Sequence, residues 1–331
     1  MTTHNLARTV ARDAAQLAGK LCLAVRAGML RNPTYMEKAG KEPVTIADYG
    51  AQAVILHHIA QRFPDDCTLA EERAAEFLEL ATASQQHQVV HYVGEALGHH
   101  VSISDVARWL DFGCSSPLDR VWVVDPIDGT KGFLRGEQFA VAVALIVNGE
   151  PLVGALACPL LPFDPAEPDN TGGVIAVAVK GQGATIEPLN GGYARPLHVS
   201  DVSDIRRARV VESVEPGHTD HEYNERVLAH SGVGGEIVRI DSQAKYVVVA
   251  DGRAEIYIRH SGHADYREKV WDHAAGYLIV QEAGGQVTDL DGRSLDFSQG
   301  LRLNNNRGVL ATNGAVHGAL LETIKHEPEN R

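Results

Sequence analysis

Cysteine is scarce in this chain: 4 residues in 331, at positions 22, 67, 114 and 158, with no C-x-x-C pair among them. A disulfide-dense scaffold and a zinc ribbon are both excluded by that count and spacing, and the four are expected to be free, mostly buried thiols. Long apolar runs are also missing. Nothing reaches the ~18 continuous apolar residues of a membrane span, so no membrane partner is expected. The first thirty residues lack the apolar core of a secretory signal, because Asp13 and Lys20 interrupt them. A cytoplasmic protein is the expectation. Positive charge is in deficit, with 30 Lys plus Arg against 43 Asp plus Glu and a formal net charge of −13. Duplex binders need basic surfaces, so nucleic acid is not the expected partner. A small anionic ligand stays open, because a few local cations or bound metals can invert the field of a cleft. What remains is ordinary for a folded protein: 44% hydrophobic and 22% charged residues.

Leu6, Val10, Ala14, Leu17 and Leu21 recur at helical spacing, and a second helix is predicted from Ile46 to Arg62, stopped by Pro64-Asp65-Asp66. Thr68-Leu69-Ala70 reads as a short strand leading into Glu71-Glu72. The stretch from Ala81 to His100 is polar and His-rich, either helix or loop. Val121 to Val124 is a buried strand ending at Asp125, and Phe139–Val147 and Val153–Cys158 read as a hairpin around Asn148-Gly149. Pro159, Pro162, Pro165 and Pro168 then fall at three-residue intervals, which no helix interior or central strand tolerates. The predicted domain boundary lies there: an N-terminal α+β domain over 1–165 and a C-terminal α/β domain over 166–331. Beyond it, Val174–Val179 and Ala254–Arg259 read as strands, and Ser242–Asp251 and Asp272–Ala283 as helices closed by glycines. Strands alternating with helices give an α/β chain.

The run Asp125-Pro126-Ile127-Asp128-Gly129-Thr130 directly follows an apolar strand, at the end where α/β folds place ligands. Pro126 fixes φ and Gly129 allows a conformation other residues resist. Such a turn presents two carboxylates, a backbone carbonyl at Ile127 and a hydroxyl at Thr130, oxygen donors that suit a hard cation such as Mg²⁺. Strand-end Asp residues that merely cap backbone N–H groups would look the same. Glu71-Glu72 is open to a second reading as a solvated charge pair, and Asp48 and Asp272 as helix N-caps. Ser242 with Lys245 one turn along forms either an anion site or a cap with a solvated lysine, and Arg259 either a phosphate fork or a sheet-edge arginine. His218-x-x-His221-Glu222 is not a zinc-protease motif, Lys180-Gly181-Gln182-Gly183 lacks the features of a P-loop, and Asp289-Leu290-Asp291-Gly292 reads as a turn.

Val44-Thr45-Ile46-Ala47-Asp48, Glu71-Glu72, Asp125 to Thr130 and Trp271-Asp272-His273-Ala274-Ala275-Gly276 occur in the order seen in the inositol monophosphatase superfamily, which the chain resembles from its first helix to about residue 314. Within it, Asp125 to Gly136 and Asp241 to Tyr246 resemble the 3′(2′),5′-bisphosphate nucleotidases. The resemblance implies a layered αβαβα sandwich and a lithium-sensitive, Mg²⁺-dependent phosphomonoesterase of sulfur metabolism holding two or three ions. Carried over residue by residue, Glu71, Asp125, Asp128, Asp272 and the Ile127 carbonyl would hold the metal, with Glu72 behind them. Asp48 and Thr130 would orient and deprotonate the attacking water. Thr130, His218, Ser242, Lys245, Arg259 and Asp272 would contact the substrate, a small bisphosphate nucleotide, in a monomer or weak homodimer. Departures are Ala70 before the Glu pair, Arg73 after it, and Ser115-Ser116-Pro117 before the core strand; none removes an implied ligand. Two rivals stay open: an inositol or sugar monophosphatase with the same metal chemistry, and a non-catalytic nucleotide-binding regulator.

Overall fold

The computed structural model describes residues 3–29, 35–38, 43–113, 119–167, 170, 172–215, 220–263 and 265–328. Its first half begins with the long helix α1 (Thr3–Met29), a small hairpin of β1 (Met36–Glu37) and β2 (Pro43–Val44), and α2 (Ile46–Ala60). Then come β3 (Cys67–Ala70), three helices α3 (Ala74–Leu80), α4 (Ala83–Leu97) and α5 (Ile103–Leu110), β4 (Arg120–Asp128), a short α6 (Thr130–Arg135), and the hairpin β5 (Ala140–Val147) and β6 (Glu150–Cys158). The chain continues through β7 (Val174–Val179), β8 (Ala184–Pro188), β9 (Arg195–Pro196), β10 (Val210–Glu212), α7 (His221–His230), β11 (Ile237–Arg239), α8 (Ala244–Ala250) and β12 (Ile256–Arg259). It closes with α9 (Ala274–Glu282), β13 (Gln286–Thr288), β14 (Val309–Thr312) and α10 (His317–His326).

These elements stack as helix, sheet, helix, sheet, helix. One sheet has seven strands in the order β3-β4-β5-β6-β7-β8-β9, the other five in the order β11-β10-β12-β14-β13. Along β4, Trp122 and Val124 point into the core shared with α1 and α2, while Val121 and Val123 point to the opposite core shared with α8 and α9. That period of two explains why the strand reads as continuously apolar. The second core reaches across α8 and α9 to Val211, Tyr257, Val287, Val309 and Ala311 of the smaller sheet. Ile256, Ile258 and Leu310 face the other way, onto Tyr223 and Val227 of α7 and Leu320 and Ile324 of α10. Small residues set the spacing. α1 packs through Ala7, Ala11, Ala14, Ala15 and Ala18, and a Cβ at Gly154 would lie 2.8 Å from the Ala275 carbonyl, so α9 sits directly against β6.

The layered α/β sandwich expected from the resemblance is the fold. One reading is overturned and one left open is decided. The proline-rich segment connects β6 and β7 within one sheet, because β7 pairs with β6 along its whole length; residue 165 therefore lies in a connection between two neighbouring strands of the larger sheet. Within the Ala81–His100 stretch, open to helix or loop, Ala83–Leu97 is a helix held by a capping box in which Thr82 and Gln85 cap each other. Cys67 is disulfide-bonded rather than a free thiol, with its partner outside the described residues, while Cys22 and Cys158 are free and buried.

Candidate active site

Adjacent parallel strands bring the first two acids together. β3 and β4 are parallel with Ala70 opposite Val124, so Glu71 and Asp125 leave the sheet side by side at the same strand end. A bulge follows: Asp125 faces Ala142 of β5 but Asp128 faces Ala140, three steps against two. The extra residue turns Asp128 toward the same side, and Gly129 at φ 87° starts α6. Asp272 arrives from the third layer, on a single 3₁₀ turn (Val270–Asp272) just before α9. Glu71, Asp125, Ile127, Asp128 and Asp272 all line one cavity of about 410 Å³.

The alternative readings of these carboxylates hold in part, since Asp48 and Asp128 each accept a backbone N–H. Thr45, not Asp48, is the N-cap of α2; Asp48 sits three residues in, and its Oδ2 accepts from the Thr45 N–H and hydroxyl, both at 2.7 Å. Its Oδ1 is left for Thr130, whose Oγ1 lies 3.4 Å away and also 3.2 Å from the Ile127 carbonyl. Asp272 caps no helix and accepts from Arg259 Nη2 at 3.0 Å. Glu72 is 1% exposed, paired with Lys38, and fixed by Gln52, which accepts from its N–H and donates to its carbonyl. Glu71 is 3.2 Å from Lys269 Nζ.

Asp125 Oδ1 is buried with no hydrogen-bond partner among the described residues. A buried carboxylate oxygen left unpaired is costly. Burial, then the charges of Glu71, Asp128 and Asp272, pushes the Asp125 pKa far up. Burial likewise raises Asp272 to about 7, against the opposing pull of Arg259, and Glu72 to about 8. Crowded acids with an orphaned oxygen and an all-oxygen donor set fit a hard divalent cation between them. Glu268, Asp272 and His273 also bring ligand atoms within 4.8 Å of one another. Arg259 already stands there, with Nη2 on Asp272 and Nε 2.9 Å from Glu268 Oε2, so that trio is an ion-pair centre. Glu268 accepts from His273 Nε2 at 3.1 Å. Nδ1 is therefore the acceptor of the Tyr246 hydroxyl at 2.6 Å.

Cations line the same cavity. Lys245 is 2% exposed, with Nζ on the Ile240 and Ser242 carbonyls at 3.0 and 2.7 Å, and desolvation lowers its pKa to about 8. Ser242 has φ 74°, a rare conformation for a residue with a Cβ, and α8 begins at Ala244, two residues after the predicted start. The twist sends the Gln243 N–H to Asp128 Oδ2 at 2.7 Å. Arg259 belongs to an interior strand rather than a sheet edge. His218 and Ser115-Ser116-Pro117 lie outside the described residues. No motif pointed to Lys38, which the β1–β2 hairpin folds back onto an acid 34 positions away. Lys269 and Glu268 had a signal, standing just before Trp271-Asp272.

Residues 6–329 match the inositol monophosphatase family. The chain is 40% identical to a 3′(2′),5′-bisphosphate nucleotidase of Emericella nidulans, covering 91% of this chain and 94% of that one. It is 37% identical to proteins of the same name from Schizosaccharomyces pombe (87% and 85% covered) and Oryza sativa (95% and 92%). Among solved structures, an inositol monophosphatase from Anabaena aligns over 99% of this chain and 98% of its own with a TM-score of 0.64 at 24% identity. An IMPase from Thermotoga maritima aligns over 97% of both chains with a TM-score of 0.65 at 22% identity. At those identities the structural likenesses speak to the fold.

Proposed function

Because the chain belongs to the inositol monophosphatase family, we propose that it is a Mg²⁺-dependent phosphomonoesterase that removes the 3′(2′)-phosphate of adenosine 3′,5′-bisphosphate, and of its 5′-phosphosulfate counterpart, to leave the 5′-nucleotide and inorganic phosphate. The observation that carries this reading is one cavity lined both by the acids Glu71, Asp125, Asp128 and Asp272 and by Ser242, Lys245 and Arg259. The nucleotide, rather than inositol, follows from relatives 34–40% identical over nearly the whole chain that share one nucleotidase name.

Glu71, Asp125, Asp128, Asp272 and the Ile127 carbonyl would hold two or three Mg²⁺, with Glu72, fixed by Gln52 and Lys38, next to Glu71 in the chain. Bound there, the ions would lower the pKa of a water and neutralise phosphate charge. The chain's own part is to orient the water and take its proton. Thr130 Oγ1 has one hydrogen and two acceptors in reach, the Ile127 carbonyl and Asp48 Oδ1. With that hydrogen turned toward Asp48, the oxygen accepts from the attacking water, and Asp48 receives the proton. Burial raises Asp48 to about 6, which suits a base working near neutral pH. The water oxygen forms the new P–O bond as the bond to the ribose oxygen breaks, and that oxygen leaves with a proton from solvent. Thr130, Ser242, Lys245, Arg259, Asp272 and His218 are the proposed substrate contacts.

The test is phosphate release from adenosine 3′,5′-bisphosphate and from inositol 1-phosphate, with and without Mg²⁺. Preference for the nucleotide with Mg²⁺ dependence is expected. Preference for inositol phosphate would move the chain to the sugar-phosphatase reading, and nucleotide binding without turnover would make it a regulator. The same reading carries inhibition by lithium, a place in sulfur metabolism and a cytoplasmic monomer or weak dimer. No helix among the described residues is long and apolar enough to cross a membrane.

A further inference from the structure

The two runs that set this chain apart, 125–136 and 241–246, lie 106 positions apart at their joining residues yet are tied to each other directly. Arg135, at the end of α6, is ion-paired through Nη2 with Asp241 and through Nη1 with Glu215 at 2.5 Å. Lys131, one turn earlier, reaches the other oxygen of Glu215 at 3.1 Å. α6 can come this close because residue 132 is glycine: a Cβ there would lie 2.6 Å from Asp241 Oδ2 and 2.7 Å from the Gln138 carbonyl. Asp241 leads into the left-handed Ser242, and Gln243 then gives its N–H to Asp128. Ser213, Glu215, Asp241 and Ser242 all line the cavity.

Lys131 looks like a phosphate ligand in the sequence Gly-Thr-Lys-Gly. Its ammonium is instead committed to Glu215. The acids it and Arg135 hold are the sheltered members, at 16% and 5% side-chain exposure against 50% and 37% for Lys131 and Arg135. Exposed ion pairs contribute little by themselves. A largely buried carboxylate stripped of its cation is another matter, since it must rearrange or take up a proton.

We infer that Lys131 and Arg135 are positioning residues for the nucleotide: by holding Glu215 and Asp241 they fix segments 213–215 and 240–245 at the distance from the acids that a bisphosphate nucleotide requires. Lys131 lines the cavity with its ammonium on Glu215, and Arg135 reaches Glu215, Asp241 and Glu137, so the two are assigned to substrate binding rather than to the chemical step. This rests on the nucleotidase reading.

The wild-type enzyme is first assayed on adenosine 3′,5′-bisphosphate and inositol 1-phosphate, which decides that reading by itself. Arg135→Met, Arg135→Lys, Glu215→Gln and the double variant R135M/E215Q are then compared on whichever substrate the wild type prefers, with calorimetric titration of AMP as a binding readout. For R135M and E215Q, KM and the AMP Kd should each rise about 10-fold while kcat stays within about 2-fold, the signature of lost binding. R135K should recover most of the loss. The double variant should be no worse than the poorer single one, because both break one unit. A fall in kcat with KM unchanged, effects that multiply in the double variant, or AMP affinity equal to wild type would each overturn the inference. If R135M does not fold, E215Q and R135K carry the same comparison.

Discussion

Replacing Asp125 by Asn should make the metal-free protein more heat-stable and abolish its stabilisation by Mg²⁺. Asp125 is 2% exposed, one of its oxygens has no partner, and Glu71, Asp128 and Asp272 face the same cavity. Two full like charges about 5 Å apart repel by ~3 kcal/mol at an effective dielectric constant of ~20. Asp125 escapes part of this by binding a proton, so the strain left near neutral pH is about 1–2 kcal/mol. Unfolding a chain of 331 residues at about 2.1 cal/mol/K per residue gives ~0.7 kcal/mol/K, or ~1.4 °C per kcal/mol. The variant should therefore melt about 1–3 °C above wild type in EDTA. Mg²⁺ at one hundred times its dissociation constant should raise the wild-type Tm by ~4 °C, from ~2.7 kcal/mol of binding linkage, and the variant by a small fraction of that. The pH dependence has a definite sign. The raised carboxyls, Asp272 to about 7 among them, bind protons more tightly in the fold than in the unfolded chain. Metal-free stability from these groups is thus present below about pH 4 and lost as pH rises through about 7. Differential scanning fluorimetry in EDTA and in Mg²⁺ reads both effects. A variant that melts below wild type in EDTA yet gains as much from Mg²⁺ would refute the convergence of these acids on a cation.

Thr130→Val keeps the shape but removes the hydroxyl between Ile127 and Asp48; kcat should fall about 100-fold with KM little changed, by steady-state phosphate release. Gly276→Ala places a methyl 2.1 Å from Tyr246 Cδ2, in the contact between α8 and α9. Overpacking there should cost about 3 kcal/mol in a denaturant melt, and activity should drop as well, because the Tyr246 hydroxyl holds His273 beside Asp272. His317 is 1% exposed, with Nε2 toward Thr288 and Nδ1 toward Thr312, and desolvation lowers its pKa to about 4. Its folded pKa lies below the unfolded ~6.5, so its contribution is complete above that pH and lost as pH falls toward 4, up to about 3 kcal/mol. The stability difference between wild type and His317→Gln, which cancels the carboxylate titrations, should shrink by that amount between pH 7 and pH 4; a constant difference would mean the imidazole charges freely in the fold.

The site was legible where one residue carries several backbone duties at once. Asp125 to Thr130 must end a strand, turn with a bulge, start a helix and present oxygens, and few residues other than Pro126 and Gly129 permit that geometry, so the run stands out. Val174–Val179 was legible for a simpler reason: all six residues are buried. The three-residue strands β10 and β11 were not, because they are too short to show alternation and β11 is exposed throughout. The start of α8 was misplaced because Ser242 takes a left-handed conformation that nothing in the sequence announces. The extent of the larger sheet was hidden too, since pairing of β7 with β6 across the prolines is a long-range choice.

The same distinction separates the two kinds of charge in the cavity. The acids sit at strand ends and helix starts, where local pattern fixes them. Their counter-charges do not: Lys38 reaches Glu72 from a hairpin, Lys269 reaches Glu71 across 198 positions, and Arg135 reaches Asp241 across 106. An acidic cluster visible in a sequence is therefore half a site, and the cations that set its net charge come from the tertiary fold. Those cations stop short of Asp125 Oδ1, which has no donor among the described residues. With Lys38, Lys269 and Arg259 on Glu72, Glu71 and Asp272, the charge on Asp125 is met either by a proton or by a cation, and the oxygen donors around it fit the divalent ion proposed above.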